Sequence, residues 1–178
     1  MTLLNPPPAE VADQLIRMIH LDWPTNEADR RRYFDILDLD DLDTVPKRDD
    51  EPDTRMIRFV TALPDVDGTC TMFRDELLGL SLFCYNEPID NGPDASAGYV
   101  SLQDELTRFL GVPSEEWGTL AEPACLWRAG PLWIDMYCFQ RLRSGVMVGP
   151  SHAEQSAAND AAHDAQRSDP RIHDASSN

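Results

Sequence analysis

Cationic charge, histidine, cysteine and glycine are all scarce in this chain, and each scarcity removes a class of function. Lysine occurs once, at Lys47; the other fourteen of the fifteen basic residues are arginine, and against 32 acids they leave a formal charge of −17. A partner held through phosphates, whether nucleic acid or an anionic lipid surface, needs a basic face that this balance does not supply. The expected partner is a protein, and a basic one; no nucleic acid and no membrane is expected. Cys70, Cys84, Cys125 and Cys138 form no C-x-x-C pair and lie in apolar, strand-like stretches, so they read as reduced core residues, not as a disulfide framework or a zinc site. His20, His152, His163 and His173 show neither H-x-x-x-H nor H-E-x-x-H spacing. His20 falls at the end of a predicted helix, where the helix dipole favours its cationic form.

The glycines make no phosphate-binding or dinucleotide pattern, and no G-x-S-x-G elbow presents a serine nucleophile. The carboxylate pairs Asp75-Glu76, Asp104-Glu105 and Glu115-Glu116 are sequence neighbours, which point apart on a helix or strand and so serve solubility better than acid-base chemistry. No catalytic residue, metal ligand or cofactor site is assigned, and the chain reads as non-enzymatic. No apolar run approaches the ~18 residues needed to span a bilayer, and "MTLLNPPPAE" breaks into prolines where a leader would carry a basic then an apolar segment. A cytoplasmic location is expected.

What is present is a regular alternation of patterns. "PPPAEVADQLIRMIH" starts with prolines and places Val11, Leu15, Met18 and Ile19 on one helical face. Asn26, with Asp29 three residues on, caps a second helix through Tyr33, Phe34 and Leu37. The period then shortens to two: "RMIRFVTAL", "GTCTMFRDE" and "LLGLSLFCYN" follow one another too closely for crossover helices, so they form an antiparallel meander. A polar loop over 86–98 leads to an amphipathic helix with Tyr99, Leu102, Leu106, Phe109 and Leu110, closed by Gly111 and Pro113. "ACLWRAGPLWIDMYCFQRL" reads as strand, turn and strand, "SGVMVG" as a short last strand, and Ser151 with Glu154 as the capping box of a terminal helix. The expected fold is α+β: an antiparallel sheet of five to six strands with helices mainly on one face, in one domain over 1–166, with a disordered tail over 167–178.

Two stretches stand out as candidate binding surfaces. Residues 35–53 carry nine acids against Lys47 and Arg48. The segment "DLDDLDTVPKRDDEPD" lacks the glycine of a calcium loop and places Leu39 and Leu42 among its acids, so it is expected as a solvent-facing acidic link over 38–54. Its functional version presents Asp40, Asp41, Asp43, Asp49, Asp50 and Glu51 to a basic partner. In "LWIDMYCFQ", Leu132, Ile134, Met136 and Cys138 alternate with Trp133, Asp135, Tyr137 and Phe139. The aliphatic set is core. The aromatic set is either a second layer, buried by the leading helices or the 86–98 loop, or an exposed platform on which Trp133, Tyr137, Phe139 and Arg141 anchor a partner.

The segments "LDWP", "TRFLGVP" and "LWRAGPLWIDMYCF" resemble those of a family of small actinobacterial proteins of uncharacterised function, across most of residues 9–150. Proteins of this size and acidity resemble immunity partners of secreted toxins. That resemblance implies neutralisation of a cognate basic toxin by a monomeric, cytoplasmic binding protein, and it supplies no catalytic residues. The order of elements also resembles acidic secretion chaperones, which implies a homodimer holding an exported protein. A third alternative is a small-molecule-binding or otherwise uncharacterised α+β domain.

Overall fold

A computed structural model of the chain describes residues 4–45, 53–88, 93–140 and 143–167. Helix α1 (Pro8–His20) starts on a proline, whose missing N–H costs nothing in a first turn, and buries Val11, Leu15 and Met18. Helix α2 (Glu27–Leu37) is capped as its sequence foretells: the Asn26 side chain accepts a hydrogen bond from the Asp29 N–H at 2.9 Å. The two helices are tied by hydrogen bonds from side chains to backbone carbonyls. Tyr33 donates to the Met18 carbonyl at 2.7 Å, while Gln14 and Arg17 donate to the carbonyls of Leu37 and Ile36, in the last turn of α2.

Asp38 then adopts the left-handed conformation with φ 55°, and the chain passes directly into a strand. The strands are β1 (Leu39–Thr44), β2 (Thr54–Thr61), β3 (Asp67–Phe73) and β4 (Glu76–Pro88), followed after helix α3 (Pro93–Leu110) by β5 (Glu115–Gly118), β6 (Pro123–Ala129), β7 (Leu132–Gln140) and β8 (Arg143–His152). They form one antiparallel sheet in the order β1-β2-β3-β4-β8-β7-β6-β5. Each half is a four-strand meander, and the last strand of each meets the other at the centre.

The sheet therefore has eight strands, and the expected five to six is an undercount at both edges. β1 occupies part of the stretch expected as a link, and β5 follows α3 where a pair of solvated acids was expected. Both carry a weak apolar signal for the same reason. Only Leu39 is buried in β1, and all of β5 is exposed. An edge strand gains half its pairing from backbone hydrogen bonds and tolerates charge, which also discourages a further strand from adding. Two helix boundaries shift as well. α3 begins at Pro93, inside the expected polar loop. The last helix, α4 (Ala153–Arg167), starts after Ser151, which is still part of β8, so the expected capping box does not form there. The expected tail falls on 168–178, outside the described residues, except for Arg167, which ends α4.

Register fixes the faces. Ile57, Cys70, Leu80, Leu82, Cys84, Val146, Val148, Met136, Cys138, Ile134, Cys125 and Trp127 point to one side and share a single core with α1, α2 and α3. All four cysteines are buried and free. Trp127 also ties α3 down, donating to the Gly111 carbonyl at 2.9 Å; Gly111, with φ 80°, is the left-handed residue that ends the helix.

Among the described residues, Arg30 is the charged side chain buried in this core. Arg30 of α2 is 1% exposed, with its guanidinium on the Phe34 ring and its nitrogens donating to both Glu27 and Asp41 at 2.8–2.9 Å. Asp41 is thus on the helix-covered side of β1, pinning that edge strand to α2. Asp43, across a bulge, lies on the other side and pairs with Arg58 at 2.7 Å. The acidic run is therefore a strand in its first half, because each face offers it a cation.

Arg30 and its neighbours hold the Glu27 carboxyl down from its ordinary 4.5 to about 2, the Arg30 hydrogen bonds being the largest cause. Folding thus lowers this pKa, so its stabilising contribution is full above about pH 4.5 and is lost as the pH falls through about 2. Glu27→Gln should cost about 2 kcal/mol at pH 7 in urea denaturation, because it removes one counter-charge from a buried cation. The difference from wild type should shrink towards pH 2; a difference independent of pH would show that Arg30 does not depend on the charge of Glu27.

Candidate partner-binding face

Cross-strand register places one unbroken row of residues on the side of the sheet away from α1, α2 and α3. It runs Asp40, Val60, Asp67, Phe83, Met147, Tyr137, Ala124, Trp117, with one residue from each of the eight strands. At about 4.8 Å between strands the row is roughly 34 Å long. Its β1–β3 end carries acids, and its β4–β5 end carries aromatic and thioether side chains.

The aromatic half is concave. Phe83, Trp117, Ala124, Tyr137, Phe139 and Met147 line a groove of about 490 Å³, with Glu122 and Pro123 at its edge. Trp117, 45% exposed, meets Tyr137 edge to face with ring centroids 5.6 Å apart. Beside the groove, Leu120 is fully exposed in the loop between β5 and β6. Asp135 lies two residues back from Tyr137 on the same face; burial raises the Asp135 pKa and the adjoining Tyr137 opposes the rise. Burial and the Asp135 charge in turn raise the pKa of Tyr137. The groove is thus a largely apolar surface with few polar groups in its lining.

The expected site residues separate on this surface. Tyr137 and Phe139 lie in the groove. Trp133 shares their face but not the groove; it stands nearer the start of β7, with the Arg128 guanidinium 5.8 Å from its ring centre. Asp40 is on the row itself, and Asp43 is on the same face, bound to Arg58. Asp41 is corrected to the opposite face, where Arg30 takes it. Arg141, Asp49, Asp50 and Glu51 lie outside the described residues. Burial of the aromatic face by the leading helices does not occur, since α1 and α2 cover the other side; its expected burial by the 86–98 loop falls in part, at 89–92, outside the described residues. Trp117, Phe83 and Met147 were missed as site residues. Phe83 was visible as the odd member of an alternating strand, but Trp117 sits in "SEEWG", a segment whose strand pairing has no apolar alternation to announce it.

Compared with protein-family models, curated proteins and solved structures, the chain matches none. Among the described residues no helix is long and apolar enough to cross a membrane.

The two sides of β7 should respond differently to truncation. Met136→Ala opens a hole in the closed core and should cost about 2–5 kcal/mol in urea denaturation. Tyr137→Ala removes a half-covered ring from an open groove and should cost about 1 kcal/mol. Equal losses would mean that the aromatic side is interior.

Proposed function

We propose that this chain is a non-enzymatic binding protein, and that it neutralises a basic protein toxin by covering it with the sheet face opposite α1, α2 and α3. The observation that carries this reading is the single row that joins acids to an aromatic groove on one open face. The two halves supply different things. Aromatic anchors in a groove give the large apolar term that makes a complex long-lived. Acidic residues on the approach raise the encounter rate with a cationic partner. A charge of −17 extends that attraction over the whole molecule. Residence in the cytoplasm, where a producing cell would need protection, and a one-to-one complex of monomers belong to the same reading.

Affinity co-purification of the tagged chain from its native host, followed by mass spectrometry and native mass measurement, tests this directly. The expected product is a one-to-one complex with a basic folded domain. A stable homodimer holding an extended segment of an exported protein would instead establish the chaperone reading. In the complex, Trp117→Ala and Tyr137→Ala should each weaken binding by about 2 kcal/mol or more, a factor of about 30, through faster dissociation. Asp40→Asn with Asp67→Asn should slow association at low salt and much less near physiological salt, where screening over ~8 Å has already removed the steering. Unchanged rates in both sets would remove this face from the interface.

A further inference from the structure

The acidic end of the row opens into a second cavity, unlike the groove in chemistry. It has a volume of about 630 Å³ and is lined by Asp65, Asp67, Glu87 and Asp94 together with Asn5, Asn86 and Tyr85. None of its described lining residues is basic. Arg58, on the strand beside Asp67, is already engaged by Asp43 through two hydrogen bonds of 2.7 and 3.1 Å. Four carboxylates, of which Asp65 accepts a hydrogen bond from Asn5 at 3.1 Å, share this lining with apolar residues such as Leu63 and Val66 and with no described counter-charge.

A second observation is independent of that charge. Tyr85 is only 5% exposed, yet its hydroxyl has no hydrogen-bond partner among the described residues. Its position is built, not incidental. The backbone takes a left-handed turn at φ 55° within an irregularity of β4, and Gly98 of α3 lies so close that any side chain there would overlap the Tyr85 ring. A buried hydroxyl without a partner costs free energy that a ligand would recover. At the Glu87 carboxyl, Oε2 is buried and has no hydrogen-bond partner among the described residues, and burial together with the adjoining Asp94 raises its pKa. An adjacent cation would satisfy both groups.

The kind of cation follows from geometry. Among the described residues no three His, Cys, Asp or Glu side chains come together as metal ligands do. The acceptors instead line a broad cavity, which suits a planar or extended nitrogen cation with several N–H donors. We infer that this cavity is a socket for a guanidinium or alkylammonium group. It adjoins the aromatic groove through one cross-strand pair: Asp67 lines the socket, and its partner Phe83 lines the groove. Resting on the binding reading above, the socket would take an arginine or lysine side chain of the partner whose neighbouring apolar residue enters the groove. A free organic amine is the other source of the same chemistry.

The whole chain is titrated by isothermal calorimetry with agmatine, with Nα-acetyl-arginine amide, and with a short acetylated peptide carrying one arginine and one tryptophan. Saturable binding is expected, weakened at least about tenfold by Glu87→Gln and by Asp67→Asn, since each removes a charge-assisted acceptor. Tyr85→Phe should weaken binding less while leaving the fold unchanged. Asp75→Asn, at the β3–β4 turn at the far end of these strands, should have no effect. A peptide that outbinds agmatine and loses that advantage in Tyr137→Ala assigns the socket to a partner's side chain; agmatine binding as tightly as the peptide assigns it to a free amine, and both support the site. Absence of saturable binding, or equal weakening by Asp75→Asn, would overturn it, because attraction would then be a property of net charge alone. Such a failure leaves the groove to be judged separately, by Trp117→Ala in the co-purified complex.

Discussion

Eight strands make a sheet too wide for three helices to cover twice. At about 4.8 Å per strand the sheet is roughly 34 Å across, and three helices of about 10 Å laid side by side span about 30 Å, enough for one face. α1, α2 and α3 take that face, and the shared core lies beneath them. The second face, apart from the ends of β2 and β4 that α4 reaches through Asn159 and Gln155, has to reach its own terms with solvent. It does so with charge at one end and with half-covered aromatic rings at the other, and a folded chain has no stability reason to keep the latter open to water. The functional reading rests on that unspent apolar surface.

The same width explains why one buried ion cluster matters. An edge strand pairs on one side only, and β1 adds just one buried apolar side chain, Leu39. Arg30 compensates by reaching from α2 to Asp41, so the edge is fastened by a charge-assisted fork and not by packing. The cost is a guanidinium held away from water, which Glu27, Asp41 and the Phe34 ring share among them. The acids of the 38–43 run thus divide by direction. Asp41 turns inward to hold the edge, while Asp40 and Asp43 face the side on which the groove lies.

Much of this architecture was legible in sequence wherever a side-chain period reflected burial on one side. The Val11, Leu15, Met18 stripe, the Asn26 cap, and the alternation of Leu132 to Phe139 all survive in the structure because local pattern and tertiary burial agree there. β1 and β5 were not legible, since an exposed edge strand needs no apolar alternation and acids at its surface resemble a linker. The groove was half legible. Tyr137 and Phe139 stood out as aromatic residues opposite a core face, whereas Trp117, Met147 and Phe83 join them only through a register that spans residues 83 to 147, and no local window holds that information. The socket was least visible of all, because Asp65, Asp67, Glu87 and Asp94 are ordinary surface acids until an irregular β4 and a close Gly98 bring Tyr85 among them.

Hydroxyl-radical footprinting read by mass spectrometry, on the free chain and on the complex isolated from its host, probes the open face most directly. In the free chain, Trp117, Tyr137 and Met147 should be oxidised readily while Trp127, Met136 and Met18 stay inert, and addition of the partner should protect the first group alone. Early resistance of Trp117, Tyr137 and Met147 in the free chain, or their continued oxidation in the complex, would contradict the claim that this face is held open for a partner.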